Sequence, residues 1–297
     1  MIRRDHSSES KGDSGLAGRR TAVILAGGQG RRLLPFTTSF PKPLMPVGDH
    51  PILEVLVRQL ERQGIRNLIF AVGHLAELIS AYFGNGSRWG VSIEYHREDK
   101  PMGTAGPLRA LVEELPDHFL VLNGDILTDL DYATLLEKHC RNHPPRLLTI
   151  STHHRLLRSE YGVLAVSGDG YVTEYQEKPS YPLRVSEGVY VFSREAVRWI
   201  PEGVRFDFPD LVLALLDARQ KVVATSHDGL WLDIGRPDDY EQAQELMAAH
   251  PERFLPESIT GESRVSGAPE LAGATITNTT VNDHTIRRHG RTPRTRA

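Results

Sequence analysis

The stretch TAVILAGGQGRRLLPFTTSFPKPL, residues 21–44, decides the fold of this chain. Its first seven residues form a continuous apolar run that ends in glycine, which is typical of a strand buried on both faces of a parallel sheet. The glycines that follow allow backbone N–H groups to approach a phosphate chain without side-chain obstruction. We therefore predict a central strand followed by a phosphate-binding loop.

This loop lacks two familiar nucleotide-binding patterns. The dinucleotide fingerprint G-x-G-x-x-G requires a third glycine where this chain has Leu33, and the Gly-Lys-Ser/Thr ending of the Walker A motif is missing. An NAD-dependent enzyme is therefore disfavoured. The loop instead carries Arg31 and Arg32, and Lys42 follows between two prolines that restrict the local backbone. Cations fixed beside a glycine loop suit a triphosphate, while the alternative is a surface turn with solvated arginines.

Outward from this loop, short apolar runs alternate with segments of helical periodicity, which predicts βαβ units around a mainly parallel sheet. A polar glycine turn, SGDG, joins two alternating runs and predicts a β-hairpin. The fold class is therefore α/β, a Rossmann-like mainly parallel sheet flanked by helices with inserted β-hairpin elements. The predicted strands are 21–27, 67–73, 91–96, 118–125, 161–166, 171–178, 186–192 and 221–227, and the predicted helices are 51–64, 75–83, 106–115 and 207–220.

Composition shifts mark the domain boundaries. Residues 1–19 are rich in Ser, Gly and charge without apolar periodicity, so we expect a disordered leader. One domain is expected over 20–250. A short extension over 251–286 combines small and turn-forming residues in a pattern that faintly resembles stacked short strands. The tail 287–297 carries five arginines, which indicates either a solvated chain end or a phosphate-binding segment.

Bulk composition excludes several classes of protein. With 39% apolar residues, 25% charged residues and a formal charge of -3, the chain is typical of a globular protein without a nucleic-acid partner. Cys140 is the only cysteine, so neither an internal disulfide nor a cysteine-based zinc site is expected, and a cytoplasmic location fits. No apolar run approaches the roughly 20 residues of a membrane helix, so no membrane association is expected.

The motifs together resemble a known family. LAGGQGRRLLPFTTSFPKPLMPVGDHPILE, residues 25–54, is similar to the signature of the sugar-1-phosphate nucleotidylyltransferases, which include mannose-1-phosphate guanylyltransferase and glucose-1-phosphate thymidylyltransferase. The resemblance implies a GT-A-like nucleotidyltransferase fold and the Mg²⁺-dependent transfer of a nucleoside monophosphate from an NTP to a sugar-1-phosphate, with release of pyrophosphate. It continues through PMGTAGPL (101–108), LNGDIL (122–127), YGVL (161–164), QEKP (176–179), SEGVYVF (186–192) and WLDIGRPDDY (231–240).

The resemblance also implies roles for individual residues. Asp125 and Asp233 each end an apolar run, where ligands gather in open α/β sheets, although a lone Asp there is often only a helix cap. The resemblance makes these two the Mg²⁺ ligands. The implied catalytic residues are Arg32, Lys42 and Lys178. The implied nucleotide-binding residues are Leu25, Ala26, Gly27, Gly28, Gly30, Arg31, Gly103, Thr104 and Asn123. The implied sugar-phosphate-binding residues are Gly162, Glu177, Lys178, Ser186, Glu187 and Gly188.

Two departures from the family pattern bear on specificity. Arg31 stands where the family has Thr, which puts the role of residue 31 in doubt. Ser186-Glu187-Gly188 stands where the family commonly has Asn-Ala-Gly, so the asparagine that hydrogen-bonds the sugar is absent. We therefore expect an acceptor other than an ordinary hexose phosphate, such as a heptose phosphate or a cyclitol phosphate like valienol-1-phosphate.

The base is predicted from resemblance alone. GTAGPL and the run 231–240 look most like the guanylyltransferase branch, whereas thymidylyltransferases usually read Ser-Lys-Gln where this chain reads Pro-Lys-Pro at 41–43. GTP is favoured, with thymidylyl, uridylyl, adenylyl or cytidylyl transfer as alternatives. A non-catalytic regulatory paralogue that binds NDP-sugar is a further alternative. The extension after 251 resembles a remnant of the β-helix of some relatives and could serve homo-oligomerisation.

The histidines do not predict a site by their spacing. His153 and His154 are adjacent, so on a strand they point to opposite faces. We expect non-catalytic roles for both.

Overall fold

The computed structural model describes residues 20–98, 100–141 and 146–255. All of them belong to the first of two units into which the chain divides, residues 1–260. The predicted leader 1–19, the tail 287–297 and the extension beyond residue 255 lie outside the described residues.

The described part of the chain contains both strands and α-helices, which alternate one by one over residues 50–123. The strands are β1 Thr21–Ala26, β2 Pro46–Val47, β3 His50–Pro51, β4 Asn67–Val72, β5 Ser92–Arg97, β6 His118–Asn123, β7 Ile126–Thr128, β8 Leu148–Arg158, β9 Val163–Val166, β10 Val172–Gln176, β11 Ser180–Ser193, β12 Val222–Ser226 and β13 Trp231–Asp233. The helices are α1 Ile52–Arg62, α2 Ala76–Phe83, α3 Gly106–Ala110, α4 Tyr132–Cys140, α5 Arg194–Val197, α6 Phe208–Asp217, α7 Pro237–Ala249 and α8 Pro251–Phe254.

A seven-stranded sheet in the order β12-β8-β11-β6-β1-β4-β5 forms the centre of the molecule. β6, β1, β4 and β5 are parallel neighbours, and β12 is parallel to β8. β11 is antiparallel to both of its neighbours, β6 and β8. Three two-stranded sheets, β9 with β10, β7 with β13 and β2 with β3, complete the strand pairing. The predicted α/β fold, a mainly parallel sheet with flanking helices and inserted hairpins, is confirmed.

Apolar side chains pack on both faces of β1, which explains its uninterrupted apolar sequence. Ala22 and Ile24 belong to a core cluster that includes residues of α1, α2 and α4. Val23 belongs to a second cluster with residues of α3, α5 and α6. Helices therefore cover both faces of the sheet, as its continuous apolar runs require.

A third cluster lies beside the sheet and supports the loop after β1. Leu33 from that loop, Leu232 and Ile234 from the β13 segment, and Ala243 of α7 are all buried in it. Phe254 joins them at 1% exposure, so the first residues of the predicted C-terminal extension pack with the main domain. This cluster ties the loop after β1 to the segment that carries Asp233.

The predicted strands and helices recur in the structure with boundaries that shift by no more than three residues, except in two elements. The helix expected over 106–115 ends at Ala110, and 111–115 continue as turns in which Leu111 N–H donates to Leu108 O at 3.2 Å. The strand expected over 186–192 extends over Ser180–Ser193, because β8 pairs with it along most of its length. None of the helices within the described ranges has both the length and the apolar character that crossing a bilayer requires.

Candidate active site

The order of strands places a crevice at the carboxyl ends of β1 and β6. From β1 the chain first builds β4 and β5 on one side and then returns to β6 on the other. Ligands of open α/β sheets bind where the strand order reverses in this way. Two adjoining cavities, of 250 and 310 Å³, lie there and share Leu25, Gly28 and Asp125 among their lining residues.

The first cavity contains the cationic part of the predicted site. Its lining brings together residues of the loop after β1, of the Pro-Lys-Pro turn, of the end of β6 and of the segment after β13. The lining residues are Leu25, Ala26, Gly28, Gly30, Arg31, Arg32, Lys42, Pro43, Asp125 and Gly235.

Gly30 sets the path of the loop through this cavity. Its φ is 60°, in the left-handed region that favours glycine, and a Cβ there would lie 2.8 Å from Cγ2 of Thr37. The Thr37 hydroxyl donates to Gly30 O at 2.9 Å. The loop is therefore folded back on itself, and a short 3-10 turn, Arg31–Leu33, follows immediately.

Lys42 and Asp125 form an ion pair in the same cavity. The Lys42 ammonium donates to Asp125 Oδ2, although the two residues lie 83 positions apart in the sequence. The Lys42 side chain is only 8% exposed. A buried ammonium is tolerated only when it is paired, so Asp125 satisfies a charge that the fold places at the carboxyl end of β6.

Asp233 lies beside this pair. β13 pairs with β7 so that Asp233 is opposite Ile126, and Ile234 N–H donates to Asp125 O at 3.1 Å. Burial raises the pKa of the Asp233 carboxyl, and the negative charge of Asp125 raises it further, while Lys42 and Arg32 act in the opposite direction. Two neighbouring, partly buried carboxylates form a set of oxygen ligands suited to a hard divalent cation.

The two loop arginines have different surroundings. The Arg32 guanidinium lies 3.3–3.4 Å from the position that a Cβ on Gly235 would occupy, beside the Asp233 segment. Both arginines are exposed and line the first cavity, and Arg31 Nε donates to Gln29 Oε1 at 2.8 Å. Of the two arginines, only the charge of Arg32 is among those that act on the Asp233 carboxyl.

Predicted residues of the 101–108 motif and of the end of β6 line the second cavity. Gly103 has a φ of 85°, and Thr104 N–H donates to Asp207 Oδ1 at 3.0 Å. In return the Thr104 hydroxyl accepts from Phe208 N–H at 2.7 Å. The start of α6 therefore holds this motif at the cavity edge. The lining residues are Leu25, Gly27, Gly28, Ala71, Glu98, Pro101, Gly103, Thr104, Pro107, Asn123, Asp125, Arg205 and Asp207.

Glu98, Arg205 and Asp207 line the second cavity but were missed in the sequence. Glu98 directly follows β5, at the same edge of the sheet as Asn123, and its position after a parallel strand was the available signal. Its carboxylate accepts from Met102 N–H at 3.1 Å, and burial raises its pKa. Asp207 is the N-cap residue of α6, and Arg205 forms an ion pair with it at 3.3 Å.

The predicted acceptor-binding residues divide into two groups. Ser186 and Gly188 precede the strand residues beside β6: the Cβ position of Gly188 is 2.6 Å from Nδ2 of Asn123, which lines the second cavity, and the Ser186 hydroxyl donates to the hydroxyl of Tyr190 at 3.1 Å. Gly162, Glu177 and Lys178 belong to the exposed β9–β10 hairpin and its flanks, and they line neither cavity. Lys178 has a φ of 44°, an uncommon conformation for a residue with a side chain.

Glu187 is turned inward. Its side chain has no exposed surface, and its carboxylate contacts Ser151 and His227 rather than either cavity. This side chain therefore lines neither cavity, and its contact with the sugar phosphate stays a prediction. An irregularity in the β11–β8 pairing between Ser186 and Tyr190 turns Glu187 inward.

Gly188 offers a test of how the second cavity is held. Its φ is 74°, and a Cβ would lie 2.6 Å from Nδ2 of Asn123, which lines the cavity. We expect Gly188→Ala to displace Asn123 and to raise the KM for the nucleoside triphosphate severalfold, with a loss of about 1–3 kcal/mol of stability from the strained backbone. Steady-state kinetics and thermal unfolding measure the two effects.

Gly170→Ala is the matched control, because Gly170 has a φ of 86° but nothing within 4 Å of its Cβ position. It should lower stability through backbone strain alone and leave KM unchanged. An unchanged KM in Gly188→Ala would contradict the role assigned to this contact.

Comparison with known proteins agrees with this geometry. The model of the Nucleotidyl transferase family matches residues 21–250. UTP–glucose-1-phosphate uridylyltransferase of Synechocystis sp. is 36% identical over 239 residues, which cover 75% of this chain and 62% of that protein. The chain thus spans less than two thirds of this relative's length.

Two further comparisons cover almost the whole of the matched protein. D-glycero-alpha-D-manno-heptose 1-phosphate guanylyltransferase of Aneurinibacillus thermoaerophilus is 30% identical over 228 residues, which cover 76% of this chain and 97% of that protein. The crystal structure of HddC from Yersinia pseudotuberculosis complexed with GMP-PN superimposes with a TM-score of 0.59 and 26% identity, over 76% of this chain and 98% of that one.

Proposed function

The chain belongs to the nucleotidyl transferase family, and from this premise we propose that it transfers a nucleoside monophosphate from an NTP to a sugar-1-phosphate or a sugar-like 1-phosphate. Pyrophosphate is released and an NDP-sugar is formed. One observation supports this most strongly. Arg32, Lys42, Asp125 and Asp233 come from four separate segments, yet they meet around the glycine loop at the switch point of the sheet.

The chemistry suits this set of residues. A phosphate oxygen of the acceptor attacks the α-phosphorus of the NTP in line, a new P–O bond forms, and the bond to the pyrophosphate oxygen breaks. The attacking oxygen is already ionised near neutral pH, since the second pKa of a phosphate monoester is about 6. No general base is required, so the task of the protein is to bring two polyanions together and to stabilise charge on the leaving group.

In the proposal, positively charged side chains and backbone N–H groups hold the two polyanionic substrates together. Arg32 and the backbone N–H groups of the glycine loop bind the triphosphate, and Lys42 neutralises phosphate charge in the first cavity. Lys178 lies on the exposed flank of the hairpin, and its contact with the acceptor phosphate requires a movement toward the cavity on binding.

Asp125 and Asp233 would hold Mg²⁺. Carboxylate oxygens are its preferred protein ligands, one or two of them are commonly combined with substrate phosphates, and the raised pKa of Asp233 reflects a charge that a cation would relieve. When bound, the ion supplies charge neutralisation on the phosphates of both substrates.

GTP is the proposed donor. The Pro-Lys-Pro turn at 41–43 differs from the Ser-Lys-Gln of thymidylyltransferases, and Lys42 of this turn is buried against Asp125. The names of two compared proteins, a guanylyltransferase and a structure complexed with GMP-PN, support the same base. The uridylyltransferase relative makes UTP the main competitor.

The proposed acceptor is a heptose or cyclitol 1-phosphate rather than an ordinary hexose 1-phosphate. Ser186 replaces a longer asparagine, and its hydroxyl donates to Tyr190, so it is partly engaged within the protein. The inward Glu187 side chain further separates this segment from the family's Asn-Ala-Gly pattern. A shorter polar group leaves room for a bulkier or differently hydroxylated ring.

A product panel tests donor and acceptor together. The protein is incubated with Mg²⁺, each of GTP, UTP, dTTP, ATP and CTP, and each of glucose-1-phosphate, mannose-1-phosphate, a heptose-1-phosphate and valienol-1-phosphate. We expect pyrophosphate release to be greatest with GTP and a heptose or cyclitol phosphate, and to cease when a chelator removes Mg²⁺. Mass spectrometry of the NDP product identifies both halves.

Each contrary outcome has a distinct meaning. Comparable turnover of glucose-1-phosphate or mannose-1-phosphate would contradict the acceptor proposal, and faster release from another NTP would contradict the choice of GTP. Tight binding of NDP-sugar with no pyrophosphate release from any pair would indicate the non-catalytic regulatory paralogue instead.

A further inference from the structure

A buried polar cluster lies apart from the two cavities. His153 of β8, Glu187 of β11 and His227, directly after β12, each offer one ligand atom, and these three atoms all lie within 4.8 Å of one another. Glu187 is 1% exposed, whereas the two histidines are partly exposed. Within the described ranges, these are the histidine and carboxylate side chains that lie close enough together to bind one metal ion.

The sheet itself brings these residues together. β8 pairs with β11 so that His153 is opposite Val185, and β12 lies parallel to β8 on its other side. His227 N–H donates to Thr152 O at 2.9 Å and so extends this pairing by one step. The two histidines are 74 positions apart in the sequence, which is why their spacing gave no signal.

A second layer of contacts holds the cluster in place. His227 Nδ1 lies 2.7 Å from Glu187 Oε1, and its Nε2 lies 3.0 Å from Asp129 Oδ1. Arg253 in turn forms an ion pair with Asp129. An imidazole that directs one nitrogen to a central site and the other to a carboxylate is the arrangement that fixes the tautomer of metal-ligating histidines.

The two oxygens of the Glu187 carboxylate have different partners. Its Oε2 accepts a hydrogen bond from the Ser151 hydroxyl, so Oε1 remains directed toward the two imidazoles. His153 Nδ1 lies 3.7 Å from this Oε1. In a tetrahedral zinc site with metal–ligand bonds of 2.0–2.1 Å, neighbouring ligand atoms are roughly 3.3 Å apart. The distances from Glu187 Oε1 to the Nδ1 atoms of His227 and His153, 2.7 and 3.7 Å, lie on either side of that value.

We propose that His153, Glu187 and His227 form a second cation site, selective for a zinc-class divalent ion and distinct from the Asp125–Asp233 pair. Two imidazoles and one carboxylate suit Zn²⁺ or Co²⁺, whereas Mg²⁺ prefers oxygen ligands alone. Metal binding releases the proton between His227 Nδ1 and Glu187 Oε1. It also breaks the hydrogen bond from His153 Nδ1 to His227 O. Three protein ligands leave one position for water.

The role of this site is structural. Trp231 Nε1 donates to Glu187 O at 2.9 Å, and Trp231 begins the short strand β13 that ends at Asp233. The His153 ring also lies 5.5 Å from the Trp231 ring. An ion that joins β8, β11 and the segment after β12 therefore fixes the strand that presents Asp233 to the active site.

The test measures metal in the untagged full-length protein. After chelator treatment and dialysis, the protein is titrated with Zn²⁺ and with Co²⁺, whose visible absorption reports nitrogen and oxygen ligation, and bound zinc is quantified by mass spectrometry. We expect one saturable site per chain and a raised melting temperature on binding. His153→Gln and His227→Gln should each weaken binding at least about tenfold, and Asp129→Asn about 10–100-fold.

Two variants serve as controls. His154→Gln alters the adjacent histidine, which is exposed and accepts from Arg184 on the other face of β8, and it should bind zinc like the wild type. Asp125→Asn should also bind zinc normally, which separates this site from the proposed Mg²⁺ site and from nucleotidyl transfer. Circular dichroism establishes that each variant is folded.

The proposal is overturned by either of two results. The first is a wild-type protein that retains no zinc and gives no saturable cobalt band. The second is a folded His153→Gln protein, changed at a partly exposed position, that binds zinc as tightly as the wild type. In both cases the cluster is a network of hydrogen-bonded ions in which a protonated His227 neutralises Glu187 and Asp129.

Discussion

We expect Asp125→Asn to lower kcat by at least about 100-fold in a protein that still folds. The substitution keeps the shape of the side chain but removes the charge that pairs with Lys42 and would bind the cation. Loss of the charge that pairs with buried Lys42 lowers stability, and relief of the repulsion between Asp125 and the buried Asp233 carboxyl offsets part of that cost. Pyrophosphate release at saturating substrates and Mg²⁺ measures the effect, and thermal unfolding measures stability.

Asp131→Ala provides the opposite result and serves as the control. Asp131 also precedes a helix, but its carboxylate accepts from Thr134 N–H at 2.8 Å and so caps α4. Its loss should cost about 1 kcal/mol of stability and leave kcat unchanged. If Asp125→Asn retained a rate within a few-fold of the wild type, the assignment of Asp125 to the reaction would be wrong.

The contrast between Asp125 and Asp131 also shows what the sequence could predict. Both residues follow an apolar run and precede a turn or helix, and either could have been a helix cap. The LNGDIL motif distinguished Asp125 only through family resemblance. The structure adds the physical reason, because β7 leaves the carboxyl end of β6 and pairs with β13, which brings Asp233 alongside.

The pattern of apolar residues was sufficient to predict the strands in the parallel half of the sheet but not those in its antiparallel part. β1, β4 and β6 are short apolar runs whose burial on both faces is visible in the sequence, whereas the edge strand β5 is mostly polar and partly exposed. β8 was missed because its second half, Thr152–Arg158, is rich in polar and charged residues, is exposed from His154 onward and pairs with β11. Its strand structure depends on that partner, which no local pattern reveals.

The least predictable feature was the inward direction of Glu187. A charged residue between Ser186 and Gly188 in a motif that resembles an acceptor loop was naturally assigned to the ligand. Its burial depends on an irregularity in strand pairing and on His227, which is 40 positions away. Such long-range compensation of a buried charge becomes visible only when the strands are assembled.

The second large effect is expected from the two loop arginines. Arg32→Lys should lower kcat by at least about 100-fold, because a lysine keeps the charge but loses the planar group that can bind two phosphate oxygens at once. Arg31→Lys should change kcat by no more than a few-fold, since Arg31 Nε donates to Gln29 and, unlike that of Arg32, its charge is not among those that act on Asp233. The two variants are adjacent and chemically identical, so they control for each other.

Whether Arg32→Lys changes kcat or KM shows what Arg32 contributes to the reaction. Its guanidinium lies beside Gly235 and its charge acts on Asp233, which places it where the triphosphate and the cation would meet. If it stabilises charge on the leaving pyrophosphate, kcat falls while KM for the NTP changes little; if it only anchors the triphosphate, KM rises and kcat is retained. Equal losses in Arg31→Lys and Arg32→Lys would contradict the distinction and would assign the triphosphate to both arginines, with Arg31 replacing the family's threonine as a phosphate ligand.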